Sequence, residues 1–228
     1  MNRAPSPQKR MPACLAAALL CGWTPAIAQQ AVDASFAARA AEPAFVENHP
    51  VVRIDEAHFN VHTASGSYKP FADLISSDGC RVEAHAEPFS RESLEGCDIL
   101  VIANARGAAR PADPAVARPA FTEAECDAVR DWVGAGGALL LISDHWPIGS
   151  AMECLAQRFG VEMSKGRTLD PANRDSMRLS MSRLVFSREN GLLLDCPITR
   201  GRNESERIDR FETFSGQSLR GPEGCMAF

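Results

Sequence analysis

The stretch WVGAGGALLLISDHWPIG, residues 132–149, constrains this chain more than any other. A helical pattern stops at Gly136-Gly137, and a purely apolar run, Ala138 to Ile142, follows. Its length and bounding glycines predict a strand, fully buried as the central strands of parallel sheets are. The run ends abruptly at Ser143, Asp144, His145 and a Trp-Pro step. In open α/β sheets ligands bind outside the carboxyl ends of the strands, so an Asp-His pair delivered there marks a candidate site.

The segments before this stretch repeat the same alternation. Val51 to Asp55 reads as a strand that runs into a polar loop, Glu56 to His62. Ser67 to Ser77 has helical spacing at Tyr68, Phe71, Leu74 and Ile75, with Pro70 in the first turn and Gly79 as a left-handed stop. Cys80 to Ala84 is a short second strand, and Ser90 caps a one-turn helix at Arg91–Glu95. Asp98 to Ala103 is a third, continuously apolar strand with Asn104 at its end. Gly107 to Pro119 reads as a mobile loop. Thr122 and Glu125 form a capping box that opens a helix reaching about Ala135.

After the Trp-Pro step the pattern predicts a helix at Ala151–Phe159 and short strands at Val161–Met163 and Leu184–Phe186. Residues 165–182 are polar and without a clear period. A structured turn at Asp195–Gly201 and a strand at Ile208–Phe214 complete the chain. Strand-helix alternation implies parallel pairing, and the expected fold is an α/β three-layer sandwich with a mostly parallel, flavodoxin-like sheet.

The first 28 residues differ from the rest. Lys9 and Arg10 precede an apolar stretch, Met11 to Trp23, that is short for a bilayer span, and small residues before Ala28 fit a signal-peptidase site. The expectation is a signal peptide over 1–28, an Ala-rich linker over 29–48 and a domain over 49–228, in a periplasmic or secreted protein. Loss of Arg3, Lys9 and Arg10 takes the formal net charge from −5 to −8. Such an acidic chain, without Lys/Arg clusters, argues against nucleic-acid partners, and no membrane span is expected after cleavage. Six cysteines follow the leader, at 80, 97, 126, 154, 196 and 225. An oxidising compartment permits disulfides, yet Cys126 and Cys154 read as plain core residues of two helices, and no close cysteine pair suggests a thiolate zinc site.

Four loops converge at the predicted carboxyl edge. They bring Asp55, Glu56, His58, Asn60 and His62; then Asn104; then Ser143, Asp144 and His145; then Thr199, Arg200 and Arg202. The principal reading is a small-ligand site, with Thr199 and the two arginines clamping an anion. A second reading is a metal-dependent hydrolase in which His58, His62, Asp144 and His145 hold a divalent zinc, manganese or iron ion. A Ser143-His145-Asp144 hydrolase lacks the GxSxG elbow that such enzymes use. A purely structural polar cluster is the remaining alternative.

Five segments also carry a family resemblance: IDEAHFNVHT (54–63), DILVIANA (98–105), FTEAECDAVRDWVGAGGALLLISDHWP (121–147), DCPITRGR (195–202) and FETFSGQSL (211–219). They resemble an uncharacterised exported family with a class I glutamine amidotransferase-like fold. The resemblance implies a flavodoxin-like scaffold and a further element after Phe228. It also implies a role as an accessory or sensor domain of an envelope transport system. It does not carry over the amidotransferase triad. Ser143-Asp144-His145 stands where the nucleophilic cysteine is expected, Cys196 precedes a proline, and no histidine follows His145.

Overall fold

In the computed structural model, residues 32–33, 37, 39–173, 183–214 and 216–224 are described. The expected leader and Cys225 lie outside them, as do residues 174–182, half of the polar stretch 165–182.

Four strands build the central sheet: β1 (Val51–Asp55), β2 (Arg81–His85), β3 (Ile99–Ala103) and β4 (Ala138–Ile142). Their order is β2-β1-β3-β4 and every pairing is parallel. This is the start of the flavodoxin-like order, in which the chain switches direction between β1 and β3. Helices cover both faces, because alternate strand residues point to opposite sides. Val52, Ile54 and Val101 face α1 (Lys69–Ser77) and pack with Ala72, Phe71 and Ile75. Leu100 and Ile102 face α2 (Glu123–Gly134) and α3 (Ile148–Gln157), meeting Val129, Met152 and Leu155. Each of these fully buried aliphatic side chains contributes roughly 1.5–3 kcal/mol. The α/β three-layer expectation is met.

The remaining strands leave this sheet. β5 (Glu162–Met163) pairs antiparallel with β8 (Leu219–Arg220), and β6 (Arg183–Ser187) with β7 (Arg210–Phe214). Between them, α4 (Pro197–Arg200) forms the expected turn. α3 starts three residues earlier than its apolar spacing suggests, with Pro147 at the N-cap.

Three expectations are corrected. β4 is not fully buried. It pairs only with β3 among the described residues, so it is an edge strand; Leu140 is 42% exposed on one face, while Leu139 and Leu141 pack on the core. Its apolar run satisfied the rule for a central strand but, among the described residues, has a helical layer on one side only. Second, residues 40–49 are held against the C-terminal end of α1 rather than hanging loose. Phe45 N–H donates to the Asp78 carbonyl, Ala44 N–H to Asp78 Oδ1 and Ala40 N–H to Ser77 Oγ.

Third, the 107–119 segment is packed. It contains a short 3-10 turn, Pro114–Ala117, capped by Asp113, with Val116 buried and its carbonyl accepting from Gly107 N–H. A Cβ at Gly107 would stand 2.4 Å from both the Ala115 and Arg118 carbonyl oxygens. Gly107→Ala is therefore expected to destabilise the fold by about 2 kcal/mol in urea unfolding. A loss below about 0.5 kcal/mol, within the range of ordinary surface substitutions, would show that the segment yields and is not packed as described.

Candidate functional site

The carboxyl edge divides into a sealed inner cluster and an open outer one. The inner cluster begins at Asp55, the last residue of β1, which is fully buried. Its carboxylate accepts from Ala57 N–H at 3.1 Å, from His58 Nδ1 at 2.9 Å and from Asn60 Nδ2 at 2.5 Å. The other ring nitrogen of His58, Nε2, lies 2.8 Å from Glu125 Oε1. Glu125 is the N3 residue of the α2 capping box, so its second oxygen accepts from Thr122 N–H and Oγ. Phe89 N–H also donates to Glu125 Oε1. One side chain thus caps a helix and grips the histidine.

Burial alone would lower the pKa of His58, but hydrogen bonds and attraction from Asp55 and Glu125 outweigh it and hold the pKa above the ordinary histidine value. For Glu125, burial pushes up, while the Thr122 backbone and His58 pull harder and leave it below the ordinary carboxylate value. The favoured state is an imidazolium between two carboxylates. Phe89 and Phe121 wall it, with ring centroids 4.5 and 4.8 Å from His58. His85, opposite Asp55 on β2, stacks on Phe89 and has its pKa lowered, chiefly by burial. Among the described residues its Nε2 is the buried side-chain polar atom without a hydrogen-bond partner.

Asn60 ties this cluster across the switch point. Its Oδ1 accepts from Ala103 N–H, while Val61 and His62 N–H groups reach the Asn104 and Ala103 carbonyls at 3.1 and 3.5 Å. The chain's own loop thereby fills the floor of the crevice between β1 and β3. Glu56 turns aside to accept from Ala64 N–H.

The outer cluster lies above that floor. Asn104 sits in the left-handed region, φ 60°, which lets its side chain bridge two loops. Its Oδ1 accepts from Asp144 N–H at 2.9 Å and its Nδ2 meets His62 Nε2 at 3.3 Å. His62 stacks on Tyr68, its Nδ1 lies 2.6 Å from Ser67 Oγ, and burial lowers its pKa against the pull of Asp144. The Nδ1 of His145 donates to the Trp146 carbonyl, leaving Nε2 to accept from Arg167 at 3.2 Å. Gln217 braces the loop by donating to Ser143 Oγ and the Asp144 carbonyl and accepting from Lys165 N–H. The Trp146 ring is 60% exposed beside it.

Of the expected set, Asp55, His58 and Asn60 therefore belong to the sealed cluster, while His62, Asn104, Asp144 and His145 share the open one. The four residues of the metal reading are not brought together. Both His58 nitrogens are taken by carboxylates, and among the described residues no three His, Cys, Asp or Glu side chains converge as a metal site. Nor does a Ser-His pair form, since Ser143 Oγ donates to the Asp144 carbonyl and His145 to Trp146.

The late turn does not join the clamp. The buried Thr199 hydroxyl donates to the Leu194 carbonyl, and Arg200 pairs with Asp195. Arg202 pairs with Glu206 and reaches the Glu42 carbonyl, beside Asp78 at the C-terminal end of α1. That end lies at the amino edge of the sheet, opposite the site, where these residues line a cleft of about 640 Å³. Glu125's second role, Arg167, Gln217 and Arg106 carry no local signal in the sequence. The last follows Asn104 closely and donates to the Phe59 carbonyl.

Fold and edge together define an α/β domain with a flavodoxin-like sheet and a polar, partly open carboxyl edge. No family model and no curated protein matches the chain. A solved structure titled "mmIFT52 N-terminal domain" is similar over 76% of this chain and 69% of its own, with a TM-score of 0.57 and 14% identity. At that identity the likeness is one of fold.

Proposed function

We propose that this chain is an exported, glutamine amidotransferase-like domain that binds a small anionic molecule at the carboxyl edge of its sheet, through His62, Asn104, Asp144, His145 and Arg167. The observation that carries this reading is where backbone strain collects. Among the described residues three non-glycine positions have positive φ: Phe59, Asn104 and Lys165. All three lie in loops of this edge; the Lys165 carbonyl accepts from Trp146 N–H. Left-handed conformations cost on the order of 1 kcal/mol or more per residue, and such strain gathers where loops are shaped for a ligand. Charge favours an anion. Among the described residues the two arginines that bond to the loops of this edge, Arg106 and Arg167, pair with no carboxylate, and Arg167 reaches the edge through His145. The leader and the family resemblance support export.

Thermal-shift measurements with inorganic phosphate, acetate and succinate, each at millimolar concentration and low salt, test this reading. At least one anion is expected to raise the Tm, and Arg167→Ala should abolish the rise. No shift with any of the three, or the same shift in the variant, would overturn it.

A further inference from the structure

A second concavity lies at the opposite, amino edge of the sheet. Three segments wall the cleft of about 640 Å³ there: the arm at 39–45, the C-terminal end of α1 and the turn at 202–206. Its volume falls within the ordinary range for small-molecule sites, about 300–1,000 Å³. The arm is fixed in place. Its Ala44 and Phe45 N–H groups donate to the Asp78 side chain and carbonyl. Its backbone crosses Gly79 so closely that a Cβ there would stand 1.9 Å from the Phe45 carbonyl oxygen. Beyond the crossing, His49 Nδ1 donates to the Gly79 carbonyl at 2.7 Å.

The lining combines an apolar floor with charges of both signs. Phe45 and Leu74 are each 37% exposed, and with Ile75 they form the apolar part of the cleft. Arg202 and Glu206 neutralise each other, and Arg202 also donates to the Glu42 carbonyl. Three charged groups keep bonding capacity. Among the described residues the Arg39 guanidinium donates no hydrogen bond, the Glu42 carboxylate accepts none, and Asp78 uses only Oδ1, for Ala44 N–H. The carboxyl end of α1, beside Asp78, adds partial negative charge that favours a cation. We propose that this cleft binds an amino acid zwitterion with an apolar side chain, its carboxylate on Arg39, its ammonium on Glu42 and Asp78, and its side chain on Phe45 and Leu74. A plain anion would meet the two carboxylates, a plain cation would meet Arg39, and a hydrocarbon would desolvate all three charges without pairing them. The cleft shares no residue with the anion site at the carboxyl edge.

Calorimetric titration of the full chain with L-leucine and L-phenylalanine tests this. Leucinol, isocaproate and glycine serve as controls that lack, in turn, the carboxylate, the ammonium and the apolar side chain. Each compound is titrated into the wild type and into Arg167→Ala, in which the carboxyl edge no longer holds an anion. At least one of the two amino acids is expected to bind saturably and with the same Kd in both proteins. In Arg167→Ala each control should bind roughly ten-fold more weakly or worse. Arg39→Ala and Glu42→Gln, both exposed, should each weaken the amino acid by a similar factor with the Tm unchanged. No saturable binding of either amino acid, its loss in Arg167→Ala, a control that binds as tightly there, or full affinity in Arg39→Ala or Glu42→Gln would overturn the proposal. If the Arg39 or Glu42 variant fails to fold, the ligand series decides alone.

Discussion

Replacing His58 by alanine is expected to destabilise the domain by about 3–5 kcal/mol, the range for breaking a buried ion pair by removing one partner. The side chain is small, and its lost apolar contacts with Phe89 and Phe121 account for only part of this. The larger part comes from what remains. Asp55, fully buried, keeps only its Ala57 and Asn60 donors, and Glu125 Oε1 keeps only Phe89 N–H. The effect should depend on pH. The folded-state pKa of His58 is raised above its ordinary value near 6.5. Its charged contribution is therefore fully present below about pH 6.5 and is lost as pH rises through the folded value. Urea unfolding at pH 6 and at pH 9 should show a larger gap between wild type and His58→Ala at the lower pH. An equal gap at both, or a loss below about 1 kcal/mol, would show that His58 is not the charged centre of this cluster.

Asn104→Ala is expected to have the largest effect on the open edge while leaving the inner cluster intact. Alanine at φ 60° is strained, and it removes the two side-chain bonds that join His62 to the Asp144 backbone. A stability loss of about 1–2 kcal/mol follows from the strain and the unpaired Asp144 N–H. With its two loops no longer joined, the edge should bind its anion at least ten-fold more weakly. Asn104→Gly separates the two terms, since glycine adopts this backbone freely but restores no bridge. It should regain part of the stability and none of the affinity. Calorimetric titration with inorganic phosphate, together with urea unfolding, reads both quantities. Recovery of affinity in Asn104→Gly would assign the site to backbone shape alone.

The sheet was legible from the sequence because its signals are local. The strand pattern at Val51–Asp55, the apolar run at Ile99–Ala103, the Thr122–Glu125 capping box and the stop at Gly79 each report on a few neighbouring residues. β4 misled for the same reason. Ala138–Ile142 is as apolar as a central strand, and its exposure depends on which of its faces distant elements cover, Leu139 and Leu141 packing on the core and Leu140 not, which no local pattern records. The site was legible only as a location. Asp55 and His58 are three residues apart, yet what closes them off is Glu125, 67 residues from His58, doing a second job invisible in its capping motif. Likewise the brace from Gln217 to Ser143 spans 74 residues. Thr199, Arg200 and Arg202 drew attention by their clustering, but Thr199 and Arg200 bond to Leu194 and Asp195 on their own segment, and Arg202 turns to Glu206 and the distant Glu42 carbonyl.

On this reading the carboxyl edge has an inner histidine cluster that supports the fold and an outer one that meets ligand. Histidine-ring NMR during titration with inorganic phosphate measures this most directly. The rings of His62 and His145 are expected to shift saturably while those of His58 and His85 stay in place, with His58 still titrating above pH 6.5 and His62 and His85 below it. Saturable movement of His58, or no movement of His62 and His145, would contradict it.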